Sequence, residues 1–261
     1  MKLKLASWNV NSVNIRLPHL VQWLQSRQPD VLCLQEIKCT DAKFPAEAIA
    51  PIGYRSFVFG QPGYNGVALV VKASLAEQVA DLQMGFPGDT SDPSRRLIAA
   101  TIAGVRVINV YVPNGQEVGS EKYAYKLDWF AKLREDLISH WNPAQKLAIL
   151  GDFNVAPISL DVYDPKAREG KILFSQSERD ALENLKSWGL FDSFRTLNPD
   201  KVAYSWWDYR ENSYRRNMGL RIDHILVSES LLQSCRTSEI DSEPRSWERP
   251  SDHAPIFAVF E

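Results

Sequence analysis

A chain of 261 residues, of which 44% are hydrophobic, is long enough to bury a substantial core. Its net charge of −2 excludes a globally basic surface, so any site for a polyanion must be local. No apolar run approaches the roughly 18 residues of a membrane span, and no signal peptide or linker-like tract is visible. We therefore expect one cytoplasmic domain over residues 1–261, with no membrane contact and with reduced thiols at Cys33, Cys39 and Cys235.

The first third of the chain predicts a β–α–β unit followed by shorter strands. Residues 5–11 form a first strand, residues 16–27 carry apolar side chains at helical spacing, and residues 31–35 are apolar throughout. Further strands are predicted at 54–59, 66–71, 97–102 and 105–112. The last two are separated only by Ala103 and Gly104, which indicates an antiparallel hairpin and therefore a mixed sheet.

The remaining elements repeat the alternation of strands and helices. A long helix is predicted at 120–140 and a buried strand at 147–150, whereas residues 161–176 have no clear period and are expected to form a loop or lid. A second helix is predicted through Trp188, opened by a capping box from Ser177 to Asp180. Final strands at 222–228 and 254–260 complete a predicted α/β sandwich of two sheets with helices on the outer faces.

Six apolar segments end in polar side chains that are useful for catalysis. In KLAILGDFNVAP (146–157), Asp152 and Asn154 lie two residues apart and point the same way in an extended chain. Alone, such a pair is more often a turn former. Because the pattern recurs, we predict one shared rim, which contains Asn9, Asn11, Glu36, Tyr111, Asn114, Asp152, Asn154, Asp223, Asp252 and His253.

The residue types on this rim favour a hard cation and phosphate chemistry. Carboxylates and amide oxygens suit Mg²⁺, whereas zinc and calcium are less favoured because the chain lacks a thiolate cluster and an EF-hand-like loop. An acid from another segment, Asp223, could hold one ring nitrogen of His253 so that the other donates to a phosphate oxygen. A serine hydrolase is not supported, since no serine lies in a G-x-S-x-G elbow.

Residues 203–221, AYSWWDYRENSYRRNMGLR, interleave five aromatic side chains with four arginines. Such a segment can stack on bases or sugars while guanidinium groups such as those of Arg210 and Arg221 hold phosphates. The alternative is a surface loop whose tryptophans close the core from outside.

The chain resembles exonuclease III and its relatives among the AP endonucleases, within the endonuclease/exonuclease/phosphatase superfamily. The matching motifs are SWNVNS (7–12), LQEIK (34–38), YNGVA (64–68), NVYVPN (109–114), LGDFNVAP (150–157), SWWDYR (205–210), GLRIDHIL (219–226) and ERPSDHAP (248–255). They occur in the family's order across nearly the whole chain.

The resemblance implies a four-layer α/β sandwich of two mixed sheets and a monomer that hydrolyses phosphodiesters with Mg²⁺, or Mn²⁺ as a substitute. The expected substrate is duplex DNA with abasic sites or with blocked or recessed 3′ ends. The implied metal ligands are Glu36, Asn9 and Asp252. Asp152, with Asn154 beside it, would orient or deprotonate the attacking water, and the phosphate would meet His253 (held by Asp223), Tyr111 and Asn114. Substrate contacts are predicted at Lys38, Asn11, Trp206, Leu220, Ile222, Arg210 and Arg221.

Departures from the family pattern leave the number of metals and the pocket selectivity open. Asn11 stands where some relatives have aspartate, and Leu220 where some have tryptophan. The balance between AP endonuclease, 3′–5′ exonuclease and 3′-end clean-up is also open. The alternative functions are a phosphatase of inositol phosphates or phospholipid headgroups, and a DNA-binding module without catalysis.

Overall fold

The computed structural model describes residues 2–89 and 92–261. In this part of the chain, twelve strands form two six-stranded sheets. The strands are β1 (Leu3–Asn9), β2 (Val31–Gln35), β3 (Tyr54–Phe59), β4 (Val67–Lys72), β5 (Val79–Met84), β6 (Leu97–Ile102), β7 (Val105–Tyr111), β8 (Leu147–Asp152), β9 (Leu190–Asp192), β10 (Asp223–Ser228), β11 (Cys235–Ile240) and β12 (Ile256–Phe260).

Both sheets are mixed. The first has the order β11-β12-β1-β2-β4-β3 and the second the order β5-β6-β7-β8-β10-β9. Each sheet contains one parallel pair at its centre, β1–β2 and β7–β8, and its other pairs are antiparallel. The parallel pairs are connected through long helices, as parallel strands require.

The helices are α1 (Leu17–Arg27), α2 (Ala46–Ile49), α3 (Glu121–His140), α4 (Pro165–Arg168), α5 (Gln176–Lys186), α6 (Ser193–Leu197) and α7 (Glu229–Leu232). Ser120 caps α3 by accepting a hydrogen bond from the backbone N–H of Tyr123. The buried face of α3 then recurs at three- and four-residue steps, which makes it amphipathic. Within the described residues, none of the helices combines the length and apolar character that a membrane crossing requires.

Three clusters of apolar side chains fill the spaces between the layers. One lies between the two sheets and includes Leu5 and Cys33 from the first sheet and Leu150 from the second. Another packs α3 and α5 against the outer face of the second sheet. The third packs α1 against the outer face of the first sheet. The predicted four-layer α/β sandwich is therefore confirmed.

Some predicted elements differ from the structure. The helix predicted to open at Ser177 begins two residues earlier, because the capping box joins Ser175 to Glu178, and it ends at Lys186. The predicted loop at 161–176 contains the single helical turn α4. Three strands were not predicted, namely β5, β9 and β11; β9 is only three residues long, and β5 and β11 have mostly polar or exposed residues.

Candidate active site at the polar end of the sandwich

The layer between the sheets changes from apolar to polar toward one end. On β8, Ala148 and Leu150 belong to the core between the sheets, and Asp152 follows at the same two-residue period. The other strands that meet at this end follow the same alternation. The polar side chains on these faces are Ser7, Asn9, Gln35, Asn109, Tyr111, Asp152 and Asp223. The predicted rim is thus the polar end of the layer between the sheets.

Strand register in the second sheet places three site residues side by side. The parallel pairing of β7 with β8 sets Tyr111 beside Asp152, and the antiparallel pairing of β8 with β10 sets Asp152 beside Asp223. Gly151 permits this close packing, because a Cβ atom there would lie 1.9 Å from the backbone oxygen of Val110. The rim consequently includes both the ends of parallel strands and the start of an antiparallel one.

Asn9 joins the acids of the two sheets. Its Nδ2 donates to Asp152 Oδ2 at 3.0 Å and to Glu36 Oε1 at 2.9 Å. The other oxygen of Glu36 lies 2.9 Å from Lys38 Nζ. Burial by itself would raise the pKa of Glu36, but the ammonium of Lys38 and the amide of Asn9 outweigh burial and lower it. Glu36 is therefore ionised at neutral pH.

His253 lies between two carboxylates. Its Nδ1 is 2.9 Å from Asp223 Oδ2, and its Nε2 is 3.7 Å from Asp152 Oδ2. Burial alone would lower the pKa of His253, but the carboxylates of Asp223 and Asp152 raise it to about 10. The predicted contact between Asp223 and His253 is thus present, and the ring is an imidazolium with its Nε2–H at the site.

Asp152 has a pKa that suits proton transfer near neutral pH. Burial raises it to about 7, against the lowering influence of the His253 cation. Its Oδ1 accepts the backbone N–H of Asn154 at 2.9 Å. For Tyr111, burial and then the neighbouring charges of Glu36 and Asp152 raise the pKa well above its ordinary value, so its hydroxyl remains a neutral donor.

Four site residues adopt left-handed backbone conformations. The φ angles are 44° at Asn11, 49° at Glu36, 54° at Lys38 and 53° at Asn154. Residues other than glycine reach this region only at an energetic cost, and such residues cluster at functional sites where packing enforces them. These turns set the directions in which the four side chains leave the loops after β1, β2 and β8.

Among the described residues, Glu36, Asp152 and His253 form a group whose ligand-type atoms lie within 4.8 Å of one another. Because His253 is held as a cation, the two carboxylates are the groups suited to a metal ion. Few carboxylates per ion, with open positions left for water and phosphate, match the preference of Mg²⁺. The donor set therefore fits a hard divalent cation.

Two predicted metal ligands do not present free oxygens to this group. Asn9 directs its amide nitrogen at the acids, while its Oδ1 accepts from the backbone N–H of Asn11. Asp252 is occupied on both oxygens, by Asn11 Nδ2 and by Trp206 Nε1, each at 2.9 Å. In this structure both residues position their neighbours, and the sequence-based assignment of Asn9 and Asp252 as metal ligands stays a prediction.

The two asparagines after β7 and β8 are paired. Asn114 is exposed and donates from Nδ2 to Asn154 Oδ1 at 3.0 Å. Asn154 is buried and donates its own amide to the backbone oxygen of Val112. Since an amide nitrogen carries two hydrogens, Asn114 has one left for a ligand, whereas Asn154 supports Asn114 from below.

The aromatic–arginine segment borders a cleft of about 350 Å³ beside the site, with Trp206, Leu220 and Arg210 in its walls. Ile222 does not reach this cleft. It is 1% exposed and packs in a small apolar cluster beneath Trp206. The prediction that Ile222 contacts substrate is therefore wrong, because its side chain is buried. Trp206, Leu220 and Arg210 remain candidates for contact with substrate.

Arg221 is also placed differently from the prediction. Its side chain is 1% exposed, and its guanidinium pairs with Asp161 and Asp192 at 2.7 Å each. A third contact reaches His224 Nδ1 at 3.0 Å, and His224 Nε2 lies 2.8 Å from the backbone oxygen of Val155. Arg221 thus belongs to a buried ion-pair network beneath the site and does not face a phosphate.

Sequence reasoning missed a second open region next to the cleft. This groove, of about 1110 Å³, has Tyr64, Arg96, Lys122 and Arg210 in its walls and Asn114 at its inner end. It also missed the buried amides Gln35 and Asn109, which bond to each other at 2.7 Å across the two sheets. The two-residue period of β2 and β7, continued one step beyond their apolar residues, was the signal that would have found them.

Comparison with known proteins identifies the family. Residues 6–253 match the model of the endonuclease/exonuclease/phosphatase family. The chain belongs to that family.

Similar proteins cover essentially the whole chain. Exodeoxyribonuclease III of Haemophilus influenzae is 38% identical over 270 residues, covering 99% of this chain and all of that protein. A 3′ phosphatase from Neisseria, solved with a product DNA hairpin, is 45% identical with a TM-score of 0.94 and 99% coverage of both chains. An AP endonuclease from Archaeoglobus fulgidus is 37% identical, with the same TM-score and coverage. The resemblance predicted from sequence is confirmed.

Proposed function

We propose that this member of the family is a DNA-repair phosphodiesterase that hydrolyses phosphodiester bonds of duplex DNA with a divalent cation. The observation that carries the proposal is the charge arrangement at the polar end of the sandwich. A buried imidazolium, His253, and two carboxylates, Asp152 and Glu36, converge within 4.8 Å. Similarity to exodeoxyribonuclease III and to AP endonucleases supports DNA as the substrate.

In this proposal, Asp152 takes the proton of the attacking water. Its pKa of about 7 makes it a base near neutral pH, and its contacts with Asn9 and with the Asn154 backbone hold both oxygens in place. Water so oriented attacks phosphorus in line with the leaving 3′ oxygen. No serine or cysteine nucleophile is needed, because the water attacks directly.

His253, Tyr111 and Asn114 receive the charge that develops on the phosphate oxygens. His253 offers a charged donor at Nε2, Tyr111 a neutral hydroxyl and Asn114 an exposed amide N–H. Donors fixed before the reaction stabilise such charge without reorganising, which is the largest contribution in many enzymes. Asp223 contributes by keeping His253 charged and its ring oriented.

Mg²⁺ is the proposed cation, with Mn²⁺ as a substitute, and Glu36 would hold it, which leaves Asp152 as the base. When bound, the ion would polarise the phosphate and neutralise charge in the transition state. Lys38 would compete with the ion for Glu36, since it already lies 2.9 Å from that carboxylate.

DNA would lie along the groove and cleft on either side of Arg210. Arg96, Lys122 and Arg210 offer cations for the backbone, while Tyr64 and Trp206 offer aromatic faces. Trp206 and Leu220 would receive an abasic sugar, whose extrusion from the helix costs little because no base is unstacked. We extend the proposal to recessed or blocked 3′ ends as substrates, to a monomeric single domain over residues 1–261 and to a cytoplasmic location.

The test uses three labelled duplexes in parallel: one with an internal abasic-site analogue, one with a recessed 3′ end and one with a 3′ phosphate. Each is incubated with Mg²⁺, with Mn²⁺ and with EDTA, and inositol phosphates are assayed beside them. We expect metal-dependent product from at least one duplex and none from inositol phosphates. Hydrolysis of inositol phosphates alone would replace this proposal with the phosphatase function, and binding without any cleavage would replace it with a non-catalytic module.

A further inference from the structure

Lys126 is a buried cation that the proposed mechanism does not use. It lies on α3, on the outer side of the second sheet, and its side chain is 0% exposed. A lysine is almost never fully buried unless it is paired. Its partner is Glu178 of α5, which is likewise 0% exposed.

The ammonium group of Lys126 contacts the two loops that carry the paired asparagines. Its Nζ donates to the backbone oxygen of Asn114 at 3.1 Å and to that of Asn154 at 2.7 Å, and its third hydrogen bond is to Glu178 Oε1. An ammonium has three hydrogens, so all of them are used. One buried group thus fixes the backbone of both loops from below, while their side chains are joined above by the 3.0 Å amide contact.

Asn154 carries this connection to Asp152. Its carbonyl accepts from Lys126, and its backbone N–H donates to Asp152 Oδ1 at 2.9 Å. A shift of the Asn154 backbone therefore moves the Asp152 carboxylate. Glu178 extends the same support, because its oxygens accept the backbone N–H groups of Leu173 and Ser175.

Stability alone does not explain a buried lysine–glutamate pair at this place. Burial lowers the pKa of Lys126 against the pull of Glu178, which shows that removing the ammonium from water is costly here. Apolar side chains of similar volume often replace buried ion pairs with no loss of stability. What apolar side chains cannot do is donate to two loop carbonyls at once.

We propose that Lys126 is a positioning residue for the reaction, one that sets the loops of Asn114 and Asn154 so that Asn114 meets the phosphate and Asp152 meets the water. Glu178 holds the ammonium in place. The inference rests on the roles proposed for Asp152 and Asn114. In this proposal, α3 and α5 help to set the catalytic geometry in addition to covering the sheet.

The experiment compares Lys126→Met, Glu178→Leu and the double variant K126M/E178L. For each we would measure kcat and KM on the best duplex substrate, DNA affinity in EDTA, and the urea unfolding midpoint. Lys132→Met is the matched control, because Lys132 lies on the same helix and forms a partly exposed pair with Asp89. Lys126→Met leaves a buried acid without its cation and is expected to lower stability, whereas the neutral double variant removes that charge and is expected to regain part of the loss.

We expect kcat to fall by about 100-fold in Lys126→Met and to stay low in the double variant, since misplacing reacting groups by about 1 Å has effects of this size. KM and DNA affinity should stay within about threefold of wild type in both variants. Recovery of kcat together with stability in the double variant would show that Lys126 is only structural. A Lys126→Met variant that folds and keeps a normal kcat would also show that Lys126 is only structural. If the single variant does not fold, the double variant decides alone. Inactivity of the wild type on every duplex would refute the proposed function, an outcome distinct from all of these.

Discussion

The charge of His253 depends on Asp223, and exchanging that acid for asparagine isolates the effect. Nδ1 of His253 and Oδ2 of Asp223 are 2.9 Å apart, and both side chains are at most 5% exposed. Although burial opposes the charge, Asp223 and Asp152 raise the pKa of His253 to about 10. Wild-type protein should therefore keep the imidazolium through neutral pH and lose it only as the pH approaches 10.

The size of the change follows from the contact. An opposite charge at this distance shifts a pKa by about 1 to 3 units, equivalent to about 1.4 to 4 kcal/mol. Asp223→Asn keeps a hydrogen-bonding side chain of the same shape but removes the charge. We expect the pKa of His253 to fall to roughly 7 to 9, so that the variant loses the charged donor, and with it activity, as pH rises through that range.

The assay follows the His253 ring by NMR between about pH 6 and 10.5 in metal-free buffer, beside the pH dependence of kcat/KM. The chain has four histidines, so the other three serve as internal references. Asp180→Asn is the matched control, because Asp180 is exposed on α5 and bonds to Gln176. A shift of less than about half a unit in Asp223→Asn, or an equal shift in the control, would refute the reasoning.

Four further predictions test other parts of the structure. Asp152→Asn should lower the single-turnover rate by about 10² to 10⁴ without lowering the urea midpoint, because it removes only the proposed base. Arg221→Met should lower the free energy of unfolding in urea by about 3 to 5 kcal/mol, since the buried Asp192 loses its guanidinium partner and the buried Asp161 keeps only that of Arg195. Burial lowers the pKa of His224 from 6.5 to about 4, so below pH 6.5 the unfolded chain binds a proton that the native state does not. The His224 contribution to stability should fall by up to about 3 kcal/mol as pH drops from 6.5 to 4, so urea unfolding should show that His224→Gln loses less stability than the wild type over this range. Arg210→Ala should weaken duplex binding and reduce its salt slope by about 1 in titrations at several salt concentrations.

Contradicting outcomes are specific to each variant. Normal turnover in Asp152→Asn would remove that residue from the reaction, and unchanged stability in Arg221→Met would mean that the buried network does not contribute. If His224→Gln loses as much stability at acidic pH as the wild type does, groups other than His224 cause that loss. An unchanged salt slope in Arg210→Ala would place the DNA elsewhere.

Elements with strong local signals were predicted well. The helix predicted at 120–140 is α3, because its cap at Ser120 and its apolar period lie within the helix itself. The hairpin around Ala103 and Gly104 is present as β6 and β7 for the same reason. Strand β11 was not predicted because a polar edge strand has neither the alternation of apolar and polar residues nor the apolar content of a buried strand.

The start of α5 shows where local signals are insufficient. Two overlapping capping boxes are possible in SQSERD (175–180), one from Ser175 to Glu178 and one from Ser177 to Asp180. The structure uses the first, in which Glu178 turns inward to meet Lys126, 52 residues earlier in the chain. The cation that pairs with the buried Glu178 thus comes from another helix, so the choice could not be read from the segment.

The sequence by itself determined the chemistry that is possible here. Apolar strands bounded by Asp152 and Asp223 must bring carboxylates to the end of a sheet, since the two-residue alternation places them on the face of the buried apolar residues. Glu36 follows β2 and reaches the same end through a left-handed backbone conformation. Tertiary structure alone decided which charges line the cleft and which are paired in the interior. Arg210 and Arg221 come from the same basic segment, yet Arg221 meets Asp161 and Asp192, 60 and 29 residues away, and is buried. The free energy of a buried charge depends on partners brought close only by folding.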